Sequence, residues 1–448
     1  MIETKRLLQE FFAGIKALTP LWVYGICAPI YHSKLALLGA LIYRFPSRKI
    51  FVVAVTGTKG KTTTVELINS ILEEAGYTTA LAGTIRFKIG SDSHQNLFKM
   101  TMPGRFFLQK FLRRAVDEHC DYAIIEMTSE GSKQFRHAFI YLDALIFTNI
   151  SPEHIESHGS YEKYLVAKLK LGKSLGKKIK KQTAVIANTD SGEADKFLAL
   201  KADKKIPFSL KDALPYTVGE KESVLTFGGQ TIRTKLRGEF NIANIVAAAT
   251  FARSRGIESE VIRRGIEKLE RVRGRMERVI FENKIGKEFG DFEIIVDYAH
   301  TADSLTKAYE ALADKPKICV FGGTGGGRDK WKRPIMGSLS VEYCKTIILT
   351  TDDPYDEPPL EICYDIQRGI NAANKDRVAN GKSPIPAYVI VDRREAIKKA
   401  IGVAKKGDTI ILAGKGADPY IMGKNNEKIP WDDVTVAREE LEKYLTKY

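Results

Sequence analysis

The chain has 448 residues, and 44% of them are hydrophobic. At about 150 residues per domain, this length predicts two or three globular domains with full-sized cores. Lys and Arg (70) exceed Asp and Glu (55), which leaves a formal net charge of +15 without any aromatic-interleaved basic motif. We therefore expect no nucleic-acid partner. The local run KSLGKKIKK (173–181) is explained most simply as a solvated helix face, and an acidic small substrate is the second explanation.

The cysteines are scattered along the chain, and none forms a C-x-x-C pair. This spacing disfavours both a disulfide framework and a zinc ribbon, and it fits a reducing cytosol. Residues 1–10 are polar and charged, so no signal peptide is evident and we expect a cytoplasmic protein. The cysteines are Cys27, Cys120, Cys319, Cys344 and Cys363.

Two apolar stretches precede the first strand. LTPLWVYGICAPIYHS (18–33) contains Pro20 and Pro29, and KLALLGALIYRFPSRK (34–49) is bounded by basic residues. Each stretch is short for a membrane-spanning helix, which needs about 20 apolar residues. We expect core helices that pack on the next domain. A membrane-surface anchor at the inner face, with Trp22 and the tyrosines at the interface, is the alternative that stays open.

A phosphate-binding loop is predicted within AVTGTKGKTTTVELINSILEEAG (54–76). An apolar strand over 51–55 precedes it, and a helix follows from Thr62. Glycines let backbone N–H groups approach phosphate oxygens, Lys61 would reach the outer phosphates, and Thr62 would offer its hydroxyl to Mg²⁺. Only two residues separate the glycines, fewer than in G-x-x-x-x-G-K-[ST], and an ordinary strand-to-helix turn is the plainer alternative. The predicted loop consists of Gly57, Thr58, Lys59, Gly60, Lys61, Thr62 and Thr63.

Further apolar runs in the first half of the chain predict a parallel sheet with crossover helices. The runs are DYAIIE (121–126), ALIFTNI (144–150) and TAVIAN (183–188). ESVLTFGGQTIRTKL (222–236) reads as a hairpin with a Gly-Gly turn, and NIANIVAAATFARSRG (241–256) as a helix that ends at Gly256. The arginine-rich stretch ERVRGRMERV (270–279) predicts a domain boundary.

A second alternating series predicts a doubly wound parallel α/β domain after this boundary. Polar clusters follow its strands at 297–300, 322–329, 352–353 and 414–418, where functional loops are expected. The chain is therefore predicted to be α/β, with an apolar segment (1–48), a central domain (49–273) and a C-terminal domain (274–448). The strands are FEIIVDYA, KICVFGG, KTIILTTDD, AYVIVD and DTIILAGKG.

Candidate metal ligands follow two of the predicted strands. Glu126 ends one strand, Asn149 ends the next, and His154 comes shortly after. A carboxylate at a strand end is a common Mg²⁺ ligand in phosphate-loop domains. Magnesium prefers oxygen, so His154 by itself is better explained as a loop histidine bonded to backbone.

These motifs, taken together, carry a resemblance to a known family. The chain resembles the Mur ligases, closest to the UDP-N-acetylmuramyl tripeptide synthetases, in the same order from about residue 50 to the C-terminus. The resemblance implies a P-loop ATPase domain followed by a Rossmann-like ligase domain. The stretches that carry it are GTKGKTTT, EMTSEGSKQFR, FTNISPEHIESHGSYEKYLVAK, GEFNIANIVAA, RGRMERV, VDYAHTADSL, GGGRDKWKRPIMG, TTDDPYDEPP and AGKGADPYI.

The resemblance also implies an activity. A carboxylate of a UDP-muramyl dipeptide-like acceptor would attack ATP to form an acyl phosphate, and a diamino acid would then displace phosphate, in peptidoglycan precursor synthesis. Diaminopimelate, lysine and ornithine are the diamino acids considered, and ATP and Mg²⁺ are the implied cofactors. We expect a monomer.

Site residues carry over position by position. Lys61, Glu126, His154 and Lys168 form the implied catalytic and metal set, with Thr62 as a further metal ligand. Lys168 falls where the family carries a carbamylated lysine, whose anionic oxygens suit Mg²⁺ better than an ammonium does. Without its flanking motif, Lys168 would be a solvated helix lysine. The other implied nucleotide contacts are Asn244, Arg275, Asp297 and His300, and the implied substrate contacts are Thr128, Gln134, Arg136, Arg328, Asp352, Asp353, Tyr355, Gly414 and Asp418.

The sequence departs from the family in its acceptor-binding parts. About fifty residues precede the phosphate-loop strand, too few for the family's UDP-binding domain, so either UDP is held differently or the acceptor is another carboxylate, lipid-linked or folate-type. MTMPGRF stands where the family has Thr-Thr-Pro and then an acid. Glu130 replaces a usual histidine, and Glu153 replaces an aspartate.

The amino-acid loop departs as well. It reads Asp352-Asp353-Pro354-Tyr355, whereas diaminopimelate-adding members have Asp-Asn-Pro-Arg. A tyrosine cannot form a bidentate ion pair with a carboxylate, and the acids Asp353 and Asp418 would favour an amine. Lysine or ornithine is therefore at least as plausible as diaminopimelate, while Arg328 is free to bind the α-carboxylate.

Rival functions fit the sequence less well. FGGTGGGRD (321–329) lacks the register of a nicotinamide-binding G-x-G-x-x-G. Folylpolyglutamate synthases share the phosphate loop and the lysine, but DYAHTADSL and GRDKWKRP point away from them. The amidotransferase-associated Mur ligase homologues carry a four-cysteine zinc ribbon that this chain lacks. A non-catalytic binding module is disfavoured, because such a protein would not need all the residues of the implied catalytic set.

Overall fold

A computed structural model describes residues 21–153, 155–281, 292–312, 315–327 and 329–446 of the chain. His154, Arg328 and the first twenty residues of the apolar segment lie outside the described residues. The predictions made for them stay predictions.

The apolar segment forms one helix, α1 (Leu21–Ile42), where two pieces were expected. Pro29 lies inside this helix, so the proline costs a backbone hydrogen bond without ending the helix. One face of α1 packs on the central domain, with Ala36 and Ala40 fully buried. The opposite face is exposed, with Leu38 at 48% and Leu41 at 55% of their surface. Among the helices of the described residues, none has the combination of length and hydropathy that crossing a membrane requires.

The central domain is built on an eight-stranded sheet that is parallel except at one edge. The interior strands are continuous apolar runs buried on both faces, as expected for a parallel sheet covered by helices. Side chains of the first strand alternate between the two cores, with Val53 and Val55 on one face and Val52 and Ala54 on the other. The strands are β1 (Phe51–Thr56), β2 (Thr79–Ala82), β3 (Arg86–Ile89), β4 (Asp92–Gln95), β5 (Tyr122–Glu126), β6 (Ala144–Phe147), β7 (Ala184–Asn188) and β8 (Lys204–Phe208).

The predicted strands β1, β5, β6 and β7 are confirmed, and they pair in the order β5-β1-β6-β7. The edge β4-β3-β2 and the strand β8 were not predicted, because their short sequences lack a continuous apolar run. The predicted hairpin is also confirmed: β10 (Ser223–Phe227) pairs antiparallel with β11 (Gln230–Thr234), and β9 (Tyr216–Thr217) extends this sheet.

Helices cover both faces of the central sheet. The helix after β1 packs against the predicted alanine-rich helix, with Leu67 and Ile245 fully buried in the shared core. The helices are α2 (Lys61–Glu74), α3 (Arg105–Asp117), α4 (Ser129–Lys133), α5 (Ile155–His158), α6 (Tyr161–Leu169), α7 (Ala194–Leu198), α8 (Glu239–Ser254) and α9 (Ser259–Lys268). Short 3₁₀ helices lie at Pro46–Arg48, Lys170–Lys177 and Leu210–Ala213.

The C-terminal domain has a sheet in the order β12-β13-β17-β14-β15-β16, parallel except for its first strand. The prediction of a second parallel α/β domain is confirmed, because the carboxyl ends of β13, β14, β15 and β17 lie at one edge of this sheet. The strands are β12 (Glu277–Arg278), β13 (Glu293–Asp297), β14 (Lys317–Phe321), β15 (Cys344–Leu349), β16 (Ala387–Val389), β17 (Thr409–Ala413), β18 (Tyr420–Met422) and β19 (Lys428–Pro430). The helices are α10 (Ala302–Glu310), α11 (Lys332–Tyr343), α12 (Pro359–Ala379), α13 (Arg393–Val403), the 3₁₀ helix Lys424–Asn426 and α14 (Asp433–Leu445).

One pair of cysteines departs from expectation. Cys319 on β14 and Cys344 on β15 form a disulfide, although they are 25 residues apart. The inference from scattered spacing that cysteines would not pair is therefore wrong for these two. Adjacent parallel strands bring distant residues side by side, and spacing along the chain does not record this.

Candidate functional site

The phosphate loop ends on an open helix terminus. Gly60 is the N-cap of α2, no side chain caps this terminus, and its first turn holds no acidic residue. The free N–H groups and the helix dipole therefore favour an anion at this point. Lys61 folds back over the loop, and its Nζ donates to the carbonyl oxygens of Gly57 at 3.1 Å and Thr58 at 2.9 Å. These contacts hold the Lys61 ammonium group beside the phosphate loop.

Gly60 is the tightest point of the loop. Its φ is +83°, and a Cβ built on it would lie 2.2 Å from Oδ1 of Asn244 on α8. Asn244 is buried and donates from Nδ2 to Oδ1 of Asn241 at 3.0 Å. The predicted nucleotide contact at 244 therefore lies directly against the loop, and only glycine fits opposite it.

Oxygen ligands for a hard cation converge beside the loop. Thr62 Oγ1 lies 3.2 Å from both carboxylate oxygens of Glu126, which is 2% exposed at the end of β5. The backbone N–H of Thr84 donates to the same carboxylate at 2.9 Å. Arg275 of the C-terminal domain donates from Nη2 to Thr62 Oγ1 at 3.3 Å. A hydroxyl and a carboxylate are ligands that Mg²⁺ prefers, so these residues fit the implied ion.

Within the described residues, no cluster of three or more His, Cys, Asp or Glu side chains is placed to hold a metal ion. The implied magnesium set has only Glu126 and His154 of these residue types, and His154 lies outside the described residues. The fit to Mg²⁺ therefore depends on Thr62, Glu126 and the modification proposed below for Lys168.

Lys168 is not the solvated helix lysine that its position on α6 would otherwise suggest. It is 2% exposed, and its Nζ donates to the carbonyl oxygen of Gly57 at 2.7 Å. Nζ also lies 4.7 Å from the ring centroid of Tyr164. Burial, followed by the charge of Lys61, holds the pKa of Lys168 well below its ordinary value. The structure therefore brings Lys168 to the phosphate loop, together with Lys61.

A second set of side chains braces the loop. Thr58 and Lys59 were predicted as part of the loop, but their partners Asn149, Glu153 and Tyr164 were not assigned to the site. Lys59 donates from Nζ to Oε1 of Glu153 at 2.9 Å and from its backbone N–H to Oδ1 of Asn149 at 2.9 Å. The hydroxyl of Tyr164 lies 2.8 Å from Thr58 Oγ1. Glu153 was noted only as a replacement for aspartate, and Asn149 only as the end of a strand. An acid immediately before His154 was the signal available in the sequence.

The C-terminal domain contributes the other wall of the site. Asp297 accepts from the backbone N–H groups of Met276 and Ala299, at 2.8 Å each, and burial raises its pKa. His300 donates from Nδ1 to the carbonyl oxygen of Tyr298 at 2.7 Å, which leaves Nε2 3.4 Å from Glu153 Oε1. Asp297 thus fixes the loop after β13, and His300 faces the central domain.

The predicted amino-acid loops meet around one buried lysine. Lys415, between Gly414 and Asp418, has no exposed surface and donates to Asp353 Oδ1 at 2.8 Å. Its Nζ also lies 3.6 Å from Asp352 Oδ1 and 3.6 Å from Asp418 Oδ2. Burial alone would lower the pKa of Lys415, but these carboxylates together raise it above its ordinary value. Lys415 was not predicted, although the Gly-Lys-Gly loop holds it.

Lys99 of the central domain reaches into the same acidic group. Its Nζ donates to Asp353 Oδ2, lies 3.5 Å from Asp418 Oδ2, and donates to the carbonyl oxygen of Tyr420 at 3.3 Å. Burial would raise the pKa of Asp353, yet Lys415 and Lys99 bring it below its ordinary value. The loops therefore hold three carboxylates and two ammonium groups, and Lys99 too was missed from the sequence.

Two further predicted positions shape the amino-acid loops. Gly414 has φ +107°, and a Cβ on it would lie 3.0 Å from Asp352 Oδ2. Tyr355 has φ +52° and donates its backbone N–H to the carbonyl oxygen of Met422 at 2.9 Å. Its ring faces Gly326, where a Cβ would lie 3.4 Å from Cδ2 of the tyrosine. Both residues therefore contribute to the wall of the acidic group.

The predicted acceptor residues gather around α4. Thr128 caps this helix by accepting from the backbone N–H of Gly131 at 3.1 Å, and Gln134 ends it. Arg136 donates from Nη2 to Gln134 Oε1 at 2.7 Å and from Nη1 to the carbonyl oxygen of Met102. Glu130, the replacement for a usual histidine, lies 3.1 Å from His158 Nε2, which lowers its pKa to about 2.

The chain matches two family models, Mur ligase middle domain over residues 55–252 and Mur ligase, glutamate ligase domain over residues 274–416. It is 36% identical over 428 residues to the UDP-N-acetylmuramoyl-L-alanyl-D-glutamate–2,6-diaminopimelate ligase of Syntrophomonas wolfei, covering 93% of this chain and 83% of that protein. It is 33% identical to the UDP-N-acetylmuramyl-tripeptide synthetase of Roseiflexus sp. (strain RS-1), covering 97% and 88% of the two chains.

Solved structures agree with these matches. A UDP-N-acetylmuramoyl-L-alanyl-D-glutamate–2,6-diaminopimelate ligase superposes with a TM-score of 0.56 and 27% identity, over 88% of this chain and 79% of that one. Mycobacterium tuberculosis folylpolyglutamate synthase superposes with a TM-score of 0.65 over 92% and 95% of the two chains, but at 14% identity this shows the fold alone. The chain therefore belongs to the Mur ligase family and is an ATP-dependent ligase.

Proposed function

We propose that the protein adds a diamino acid to a UDP-N-acetylmuramyl dipeptide-like acceptor in peptidoglycan precursor synthesis. The observation that carries this proposal is the contact of Arg275 with Thr62 at 3.3 Å, beside Lys61 and Glu126. It supports a nucleotide site shared by the central domain (49–273) and the C-terminal domain (274–448). Three of the relatives named above have names that refer to such acceptors: two diaminopimelate ligases and one UDP-N-acetylmuramyl-tripeptide synthetase.

The reaction proceeds in two steps in this proposal. An acceptor carboxylate oxygen attacks the γ-phosphorus of ATP and ADP leaves, which gives an acyl phosphate. The diamino acid's amine then attacks the acyl carbon, and inorganic phosphate leaves. Lys61 and Arg275 place positive charge where phosphoryl oxygens gain negative charge, and the helix terminus at Gly60 binds phosphate. The acyl phosphate is prone to hydrolysis, so the domain contacts also serve to exclude water.

Magnesium, when bound, would neutralise charge on the phosphoryl oxygens, with Thr62, Glu126 and His154 as its protein ligands. We propose that Lys168 is carbamylated and supplies anionic oxygens to the same site. Its burial beside the Gly57 carbonyl supports this, because a permanent ammonium at that place would repel both Lys61 and a metal ion.

The charges around Lys415 bear on the class of amino acid that is added. Asp352, Asp353 and Asp418 carry one more charge than the two lysines that contact them, so an added ammonium group is favoured. Tyr355 provides no guanidinium for a distal carboxylate. We therefore keep lysine and ornithine beside diaminopimelate, and we assign the α-carboxylate to Arg328.

The test is phosphate release by the purified full-length chain. It is incubated with Mg²⁺, ATP, UDP-muramyl dipeptide and, in separate reactions, diaminopimelate, lysine or ornithine. Release that requires both acceptor and amine, and that a Lys61→Ala variant abolishes, supports the proposal. Release with none of the three amines would exclude this acceptor and amine combination.

A second acceptor class is favoured by the surface of α1. The exposed side chains of Leu38 and Leu41 lie on a helix whose other face is packed on the central domain. We propose that this face rests on the inner surface of the membrane and that the acceptor is lipid-linked, for an otherwise cytoplasmic and monomeric enzyme. Flotation of the full chain with anionic liposomes should fall in a Leu38→Glu/Leu41→Glu variant. A Val378→Glu variant on α12, also exposed, is the control.

A further inference from the structure

A patch of basic side chains lies beside the C-terminal end of α1 and is built from two stretches of the chain. Residues 28–50 and 170–182 together contain ten Lys and Arg residues and no Asp or Glu. Nine of the ten basic side chains are exposed, and we call these nine the basic surface. The second stretch includes the run KSLGKKIKK, which the sequence explains most simply as a solvated helix face. Solvated faces usually carry both signs of charge, so the lack of any acid calls for a further explanation.

The two stretches meet at the aromatic ring of Tyr141. Its centroid lies 5.2 Å from Cζ of Arg48 in the first stretch and 6.0 Å from Nζ of Lys177 in the second. Lys180, the one basic residue of the two stretches that is not exposed, donates from Nζ to the carbonyl oxygen of Ile50 at 2.6 Å. The two stretches therefore lie side by side in the fold, and their exposed charges form a single surface.

The positive charge of the basic surface is not neutralised within the part of the chain that the structure describes. Its nine side chains form no ion pair with a described residue. On α9 the pattern is the opposite, since Arg263 pairs with both Glu260 and Glu267. Burial, followed by the charges of three lysines of the basic surface, lowers the pKa of His137 to about 4. Charge of one sign over a surface of this kind attracts an extended anionic partner.

An apolar stripe on the exposed face of α1 adjoins the basic surface. Its five side chains recur at helical spacing and are between 48% and 56% exposed. The stripe ends two residues before Arg44, the first basic side chain after the helix. A bilayer of anionic phospholipids presents a charged surface and an apolar layer together, whereas the phosphate backbone of a nucleic acid presents only the charge. The stripe consists of Ile30, Tyr31, Leu38, Leu41 and Ile42.

We propose that the basic surface binds the head groups of an anionic phospholipid bilayer, while the apolar stripe of α1 enters the same bilayer at its interface. This inference rests on the membrane contact proposed above for α1, and it names the class of lipid and the residues that select it. Attachment through one signal is marginal, and an apolar insertion combined with a polybasic patch is a stable combination. Each lysine near an anionic surface raises partitioning about fivefold. The run KSLGKKIKK thereby has a partner.

The first test is flotation of the full-length chain, without substrates, with liposomes of phosphatidylglycerol and phosphatidylcholine or of phosphatidylcholine alone. The chain should float with the anionic liposomes, and raising NaCl from about 50 to about 500 mM should lower this binding, because exposed charges are screened. Equal flotation with both kinds of liposome would leave the stripe as the only contact and overturn the basic surface as a binding site. Capture of the chain by single-stranded DNA without flotation would assign this surface to nucleic acid and overturn the lipid assignment.

The second test removes charge from the basic surface. A Lys173→Gln/Lys177→Gln variant should lower the apparent partition coefficient about thirtyfold on anionic liposomes and leave it unchanged on neutral ones. The matched control is Lys382→Gln/Lys406→Gln, which removes the same charge from exposed positions of the C-terminal domain and should bind as the unaltered chain does. Equal partitioning of the two double variants would contradict the proposal.

Phosphate release separates this inference from the proposed function. With soluble UDP-muramyl dipeptide and no liposomes, Lys173→Gln/Lys177→Gln should release phosphate as fast as the unaltered chain, because the two lysines have no part in the reaction. A loss of release in this variant would assign the lysines to the acceptor and overturn the proposal. If the unaltered chain releases no phosphate, the proposed function fails, while flotation still decides the lipid-binding surface.

Discussion

Nζ of Lys168 donates to the carbonyl oxygen of Gly57 at 2.7 Å, so a lysine from α6 contacts the first glycine of the phosphate loop. The two residues are 111 positions apart in the chain. The lysine has almost no contact with solvent, and burial, followed by the positive charge of Lys61, lowers its pKa. An unmodified ammonium here would be unfavourable, and this is the physical basis of the carbamate proposal.

Replacement of Lys168 by alanine should lower kcat about a hundredfold or more. The electrostatic stabilisation lost with this side chain should be as large as that lost with one hydrogen-bond donor to a transition state. Added bicarbonate should not restore it. A readout separate from activity is the ¹³C NMR signal of a carbamate after incubation with ¹³C-bicarbonate, present in the unaltered chain and absent from Lys168→Ala.

Lys163→Ala is the matched control, because Lys163 lies on the same helix and is exposed. It should keep both the activity and the carbamate signal. A fully active Lys168→Ala enzyme, or a signal that survives in it, would rule out carbamylation of this residue.

The Lys99 ammonium group lies beside the carboxylates that the amine of the proposed substrate would bind. Its ammonium group contacts Asp353 and lies 3.5 Å from Asp418. Replacement by methionine, which keeps the apolar stem, should lower KM for lysine or ornithine about tenfold, since one charged hydrogen-bond competitor is removed. Steady-state kinetics with the amine varied at saturating ATP measure this change.

The companion variant Asp353→Asn should act in the opposite direction and raise KM for the same amine. Lys110→Met, at an exposed position on α3, should change neither value. A Lys99→Met enzyme with lower kcat and an unchanged or higher KM would mean that Lys99 holds the two domains together instead of occupying the amine position.

The strands of the fold could be predicted where a buried strand is a continuous apolar run in the sequence. Strands β1, β5, β6 and β7 each carry such a run, and the structure confirms them. The edge strands β3 and β4 read RFKI and DSHQ: each has only four residues, which is too short to predict, and DSHQ has no apolar residue. Pro29 predicted a break in the apolar segment, but α1 continues through this proline because the helix packs on the central domain. The pairing of Cys319 with Cys344 depends on strand order, which no local pattern records.

The site divides in the same way. Lys61, Thr62 and Glu126 were predicted because each stands at a strand end or helix start, and the structure brings them together. Lys99 was missed because its contact with Asp353 spans 254 positions and joins two domains. Lys415 was not predicted because it lies between two glycines, and the loop was interpreted through the backbone role of those glycines. Long-range partners of this kind follow from domain packing and not from motif spacing.

A buried ion pair joins the two domains at some distance from the nucleotide loop. Arg237 forms two hydrogen bonds, of 3.1 and 3.0 Å, to the carboxylate of Glu293 on β13. Arg237→Ala should lower the free energy of unfolding of the C-terminal domain by about 3 kcal/mol, the low end for breaking a buried pair, because Lys315 remains near the carboxylate. Urea denaturation followed by tryptophan fluorescence reports this, since Trp331 and Trp431 lie in that domain.

The same pair predicts a pH dependence. Burial alone would raise the pKa of Glu293, but Arg237 and then Lys315 bring it below its ordinary value of 4.5. A carboxyl group with a lowered folded-state pKa stabilises the fold above its unfolded-state pKa, and that contribution is lost as the pH falls through the folded-state pKa. Glu293→Gln should therefore flatten the loss of stability below pH 4.5, and Glu222→Gln, in an exposed pair with Arg233, should not. Identical acid transitions for the two variants would contradict this role.

Gly60 and Gly76 share a backbone conformation but differ in their surroundings, so they separate backbone strain from steric contact. Their φ angles are +83° and +84°, yet a Cβ on Gly60 meets Asn244 Oδ1 at 2.2 Å, whereas one on Gly76 has nothing within 4 Å. Alanine at Gly76 should cost about 1–2 kcal/mol of stability from backbone strain alone, and alanine at Gly60 should cost more, seen as a larger shift in Tm, because overlap with Asn244 is added to the same strain. Only Gly60→Ala forces the loop and Asn244 apart, so its kcat/KM for ATP should fall by about a hundredfold, the scale of a ~1 Å misplacement. Similar ATP kinetics for the two variants would mean that Asn244 can yield, and that it does not set the position of the phosphate loop.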